Sequence, residues 1–340
     1  MFTVRIKMLV LLLLCLGLIL ANLWLGSVSF SLERLCAALL GKPIEAGDTA
    51  IIWELRMPKI GAALLAGASL SVSGLLMQTF FRNPIAGPFV LGISSGASLG
   101  VALALMATST LATVLGTVWV QSPAFVLVLA ILGASLVLLL LLLVSWRVAD
   151  INTLLILGLM FGSASSALVA LLQYFSHQEA LKQYVLWSMG SLGGITPQEL
   201  SWLLPLCVLA LLGTLGCSKW LDALLLGEQY AISMGVPVRK AQQVILILTA
   251  LLVGSITAFC GPIAFVGIAV PHLARLLFRT YQHFILIIAC CLMGMLVLLV
   301  CQLIAQLPGS ARILPINVVT SFLGAPMVIY LVLSGRTIKS

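Results

Sequence analysis

The strongest constraint on this chain is an apolar run of about twenty residues that recurs along its length, usually with Arg or Lys at one end. Arg5 and Lys7 precede the first, Met8–Leu25, and Arg147 closes another. Twenty helical residues rise about 30 Å, the thickness of a bilayer's hydrocarbon core. In lipid every backbone polar group needs a partner within the protein, which leaves helices or closed barrels. Barrel strands would alternate in polarity over about ten residues, and these runs do not. Composition agrees: 62% of residues are hydrophobic and 8% charged, where a water-facing surface needs roughly a quarter charged. The chain is expected to be an all-α polytopic protein with lipid as its solvent. About ten spans are placed at 8–27, 60–80, 91–107, 123–145, 152–175, 198–217, 242–259, 263–279, 284–306 and 315–334. Short connections make 1–340 one transmembrane domain, with 107–123 read as an apolar, partly re-entrant loop. Met8–Leu25 exceeds a signal h-region and lacks an evident cleavage site, so it is read as an uncleaved first helix.

The net charge of +8 is spread singly over the ends of the runs, with no basic run or basic–aromatic patch to hold nucleic acid. With the N-terminus inside, eleven basic residues fall on the cytoplasmic side: Arg5, Lys7, Arg82, Arg147, Lys219, Arg239, Lys240, Arg275, Arg279, Arg336 and Lys339. Six fall outside: Arg34, Lys42, Arg56, Lys59, Lys182 and Arg312. The positive-inside rule then places both termini in the cytoplasm. The eight cysteines show no CxxC spacing and are read as small core hydrophobes.

Two stripes of small residues, Ala63/Gly67/Ser71 and Gly92/Gly96/Gly100, are spaced for close helix contact in lipid. Ser94, Ser95, Ser98, Ser163, Ser165 and Ser166 are candidates for lining a path. NPIAGPFVLGISSG (83–96) and CGPIAFVGIAVPH (260–272) share a Pro-Ile-Ala turn leading into a glycine-interrupted helix. With the first turn inside and the second outside, they would belong to an inverted repeat, a recurrent transporter construction.

Several chemistries are missing. No Asp, Glu, Lys or Arg lies well inside a span, as ion coupling usually requires. The sequence has no HExxH, nucleophile elbow or Walker A segment, and its three histidines are scattered. No catalytic or metal-ligating residue is assigned. A membrane enzyme and an ion-coupled carrier are therefore disfavoured, and energy must come from a partner. One hydrophilic island could seat that partner: SKWLDALLLGEQYAISMGVPVRKA, 218–241. Leu221, Leu224, Leu225 and Leu226 cluster in it, Gly227 breaks the helix, Glu228 starts another, and Gly235 and Pro237 end it. Two short helices at a sharp turn make a knob suited to a groove on another protein; an amphipathic helix lying on lipid is the alternative. On the outer face Arg56, Lys59 and Arg312 would form a cationic rim for an acidic docking partner, or simply snorkel.

Five segments carry a family likeness: RMPKIGAALLAGASLSVSGLLMQTFFRNPIAGPFVLGISSGASLG (56–100), WSMGSLGG (187–194), LLLGEQYAISMGVPVRKA (224–241), GPIAFVGIAVPHLARLL (261–277) and PINVVTSFLGAPMVIYLVLS (315–334). In this order the chain resembles the FecCD/BtuC-type permeases of type II ABC importers, which carry ferric siderophores, haem or cobalamin across bacterial inner membranes. The resemblance implies a homodimer of ten-helix subunits, two ATP-binding cassette ATPases holding ATP and Mg, and an external substrate-binding protein. It places Leu225, Leu226, Gly227, Glu228, Ala231, Gly235 and Val236 in ATPase-coupling helices, and Arg56, Lys59 and Arg312 at binding-protein docking positions. Loop 147–153, with Asn152, would belong to the cytoplasmic gate. Lys59 stands where arginine is expected, keeping the charge but losing the planar fork. Asn317 stands where glycine is usual, and could face substrate or bond a neighbouring helix. A ferric siderophore is the first expectation for cargo, with cobalamin and haem as alternatives.

Overall fold

The computed structural model describes residues 2–26, 31–40, 45–107, 122–147, 151–306 and 313–333, and every regular element among them is helical. The chain runs through α1 (Phe2–Trp24), α2 (Leu32–Leu39), α3 (Ala46–Ala50), a π-helical turn (Ile51–Arg56) and α4 (Met57–Phe80). A 3₁₀ turn (Pro88–Leu91) leads into α5 (Ile93–Met106), followed by α6 (Pro123–Ser145) and α7 (Ile151–Tyr174). Then come α8 (Gln178–Ser188), α9 (Pro197–Gly216), α10 (Ser218–Leu225) and α11 (Glu228–Ser233). The last four are α12 (Val238–Cys260), α13 (Val266–Phe278), α14 (His283–Ala305) and α15 (Ile316–Leu333).

Local signals explain the boundaries. Proline opens α6 and α9, where its missing N–H costs nothing. Thr196 and Glu199 form a reciprocal capping box at the start of α9. Each of the ten expected spans is represented by a helix, but only seven helices among the described residues are long and apolar enough to cross a bilayer. Ile93–Met106 and Val266–Phe278 are apolar but shorter, and the described side chains of α15 reach only Ile329. The reason is visible in α5 and α13, which begin only after a non-helical turn. Gly92 before α5 has φ +70° and Phe265 before α13 has φ +67°.

Helix α4 is the axis of the bundle. Every residue from Leu65 to Phe80 is buried, and α9, α12, α13 and α14 pack around it. The close-contact stripes do what their spacing predicts. A Cβ on Gly67 would lie 2.2 Å from the carbonyl oxygen of Gly294, and one on Gly74 1.7 Å from that of Gly267. Ser71 Oγ adds a 2.7 Å bond to the Cys290 carbonyl of α14.

The two Pro-Ile-Ala turns are not confined to opposite surfaces, as the sequence reading placed them. The second re-enters the bundle. By Gly267 it has reached the level of Gly74, in the last two turns of α4, and a Cβ on Gly267 would meet Pro88 Cδ of the first turn at 2.6 Å. The basic N-terminal segment and basic connections share one end of the bundle: Lys7 Nζ donates to the Leu277 carbonyl at 2.8 Å, and Arg82 lies beside Gly227. We call this the basic end. The expected loop at 107–123 falls mostly outside the described residues.

Candidate functional site

At the basic end, 218–241 folds as two short helices at a sharp turn. Gly227 has φ +122°, open to glycine and strained for other residues, so α10 stops there and α11 starts at Glu228. Gly235, at φ +80°, closes α11 in a Schellman motif. The Val236 N–H donates to the Ala231 carbonyl at 3.0 Å, and that of Gly235 to the Ile232 carbonyl at 2.9 Å. Leu221, Leu224 and Ala231 are buried. Leu225, Glu228 and Val236 are half-buried. Leu226 instead points outward at 65% exposure, so the expected leucine cluster is divided between two faces. Tyr230, Ile232 and Met234 are exposed as well. These last three carry no sequence signal beyond being apolar in a polar island. Asp222 is a further residue missed from sequence: it fastens α10 to the start of α14 through His283.

At the opposite end the expected rim is corrected. Arg56 is buried. Its guanidinium donates to the Leu23 carbonyl and, at 3.1 Å, to that of Trp24. It thereby caps the C-terminus of α1, where a cation also meets the negative end of the helix dipole. Arg312 lies outside the described residues. Lys59 remains, half-buried at the wall of a cavity of about 440 Å³ shared with Gly190–Gly194, Gln302, Gln306 and Ile313–Ile316. Gln302 is buried, and neither atom of its amide has a hydrogen-bond partner.

The serines divide as well. Ser94 is buried between α5 and α12, with its hydroxyl 3.1 Å from Thr257 Oγ1, so it joins helices and lines no open path. Ser95 and Ser98 are half-buried. Ser95 sits by Gly162 of α7. Ser98 bonds Tyr184, whose phenol is pushed up by burial and partly restored by that bond. Ser163 and Ser166 are exposed on α7, and Asn152 is exposed at its start. Asn317 is half-buried: its Oδ1 accepts the Ala264 N–H at 3.0 Å, and its own N–H donates to the Met189 carbonyl at 3.3 Å. It thus bonds a neighbouring segment while also lining an open cleft of about 610 Å³ with Ser188, Ser321, Phe322 and Pro326.

Among the described residues no three His, Cys, Asp or Glu side chains gather as a metal site. The arrangement is therefore a knob at one end, a cavity with one lysine at the other, and an uncovered small-residue face between them. The FecCD transport family matches residues 11–334. The vitamin B12 import system permease proteins BtuC of Salmonella typhi and Salmonella typhimurium are each 35% identical over 322 residues, covering 92% of this chain and 95% of theirs. A solved structure, described as an inward-facing conformation of a metal-chelate type ABC transporter, superposes with TM-score 0.85 at 29% identity, covering 97% of this chain and 99% of that one. The family match over most of the chain, the 35% identical relatives and the superposed structure identify this chain as a member of the FecCD transport family and the permease subunit of a type II ABC importer.

Proposed function

We propose that this permease works as a homodimer in the bacterial inner membrane, with an ATPase subunit seated on each knob and an external binding protein at the opposite end. The observation that carries the reading is the two-sided knob. Leu221, Leu224 and Ala231 are buried against the bundle, while Leu226, Tyr230, Ile232 and Met234 are exposed apolar side chains within the same short segment. An exposed apolar patch on a rigid pair of helices fits a groove on another protein. ATP and Mg belong to that partner, and this chain performs no covalent chemistry. ATP closes the two ATPases on each other, the knobs move with them, and the paired subunits switch between outward and inward access. The energetic role of this chain is to have two packings of similar stability, biased by nucleotide at one end and by binding protein at the other.

The path runs along the dimer axis, beside the exposed Ser163 and Ser166 of α7 and the cleft lined by Ser188 of α8 and by Asn317 and Ser321 of α15. A weakly charged path of small and apolar residues suits a large metal chelate. The BtuC relatives favour a corrinoid, whereas the likeness of 82–100 favours a ferric siderophore.

The test is co-purification. The wild-type permease, co-expressed with an ABC ATPase of the same cell, should retain it through size exclusion. Leu226→Asp should weaken that association about thirtyfold or more, as loss of a central apolar anchor does, while the permease still elutes as a folded species. Retention of the ATPase by Leu226→Asp would sink the assignment of the knob. ATPase stimulation by the binding protein loaded in turn with cyanocobalamin, a ferric siderophore or haem then identifies the cargo.

A further inference from the structure

Where α10, α14 and α4 meet, a hydrogen-bonded chain runs from the surface of the knob into the core. Asp222 Oδ1 accepts the backbone N–H of His283 at 2.8 Å and lies 2.7 Å from His283 Nδ1. A carboxylate only accepts, so Nδ1 carries the proton of the neutral ring, and Nε2 is left to accept. Thr79 Oγ1 stands 2.8 Å from that Nε2 and donates to it. His283 and Thr79 are each 1% exposed, whereas the Asp222 side chain is 42% exposed. Gln78, beside Thr79, continues the network. Its Nε2 donates to the Ile268 carbonyl at 3.1 Å, and its Oε1 accepts from Arg275 Nη1. The last turn of α4 is thereby bonded to α13 directly and to α10 through His283.

More is present than a helix cap needs. The backbone bond from His283 to Asp222 would suffice to cap α14. The imidazole bond and its extension to Thr79 join residues 61 and 204 positions apart in the chain. The rest of the seat of α10 is made by buried Ser218, Leu221, Ala223 and Leu224, mostly apolar. Apolar contact is non-directional and allows a helix to pivot, while a chain of buried hydrogen bonds fixes distance and angle.

We infer that Asp222 is a positioning residue which, through His283 and Thr79, makes the knob move as one body with the adjoining ends of α14 and α4. This rests on the knob being the seat of the ATPase. Without the chain, the knob keeps its apolar seat and its partner, but a swing of the ATPase turns it against the bundle. ATP is then hydrolysed with little motion delivered to α4.

The experiment uses the whole transporter, permease with its ATPases, in lipid nanodiscs. Spin labels are placed through Ile85→Cys, just beyond α4, and Ser233→Cys, on α11, in a Cys36→Ser background that removes the exposed native cysteine. In the otherwise unaltered protein the Ile85–Ser233 distance should be the same without nucleotide and after trapping with ATP and vanadate. Asp222→Ala and Thr79→Val should broaden or shift that distance on trapping, with basal ATP hydrolysis within about twofold of the parent. Asp222→Asn, which keeps an accepting oxygen, should restore most of the parent behaviour. In proteoliposomes, uptake per ATP, measured with cyanocobalamin and a ferric siderophore as probes, should fall about tenfold in the two broken variants, within the usual range of coupling energies. A prop that merely supports folding would lower hydrolysis and uptake together and leave their ratio alone.

The inference is overturned by a distance that shifts on trapping in the parent, by parent-like distances in both broken variants, or by failure of both to assemble. If only Asp222→Ala fails to assemble, Thr79→Val decides. Failure of the underlying reading looks different, because the parent permease would then bind no ATPase at all.

Discussion

Helices α4 and α7 are each 24 residues long, apolar, and studded with glycine, alanine and serine. In the span containing α4, 89% of the most apolar stretch is buried, against 28% for α7. The first has its small residues pressed on other backbones, at Gly67–Gly294 and Gly74–Gly267. The second uses Gly158 and Gly162 to admit the 3₁₀ turn and start of α5, yet leaves Ser163, Ala164, Ser166, Ala167 and Ala170 uncovered. In lipid, small residues earn their place only by letting something approach closely. The buried stripe has found its partner within the chain, and the open one is where the proposed second subunit or cargo would approach.

Four substitutions test that contrast. Gly74→Val should have the largest effect, because its Cβ would lie within 1.7 Å of a backbone oxygen that no rotamer change can move. We expect more than about 3 kcal/mol of destabilisation and loss of the monodisperse peak in fluorescence-detected size exclusion. Ser166→Leu, on the open stripe, should leave the thermal stability of the detergent-solubilised subunit within about 0.5 kcal/mol of the parent while abolishing the proposed homodimer by light scattering. A dimer that survives would place the subunit interface elsewhere. The smallest effect is expected of the serines compared as a pair. Ser94→Ala removes an interhelical bond and should cost about 0.6 kcal/mol, whereas Ser163→Ala should cost nothing measurable in the same unfolding assay.

The helical scaffold was legible in the sequence because lipid punishes any backbone group left unpaired, and that makes long apolar runs an unambiguous signal. The knob was legible for a related reason: Gly227 and Gly235 break periodicity, and both sit at positive φ. Burial within the membrane was not legible. Ser94 and Ser163 have the same chemistry in equally apolar helices, and only the position of Thr257 makes one a joint. Arg56 failed as a rim charge because its partners are carbonyls more than thirty residues earlier, brought near by a π-helical turn that nothing in IIWELR announces. Likewise, the proline and glycine of 260–272 marked a turn, but the depth to which it re-enters is set by Gly74 and Pro88 of other segments.

The cap that Arg56 places on α1 has a consequence for how the protein is made. Helix α1 is mostly uncovered, with 22% of its apolar stretch buried, and its polar tethers lie far along the chain. Its C-terminal carbonyls are met by Arg56, Asn22 donates to the Leu299 carbonyl 277 residues on, and Lys7 to that of Leu277, 270 residues on. During synthesis α1 is made before the other described helices, and its longest-range tethers can form only when α13 and α14 follow. Arg56 can cap its C-terminal end early, while the bonds from Lys7 and Asn22, and the packing of α1 on α14, wait for the last third of the chain.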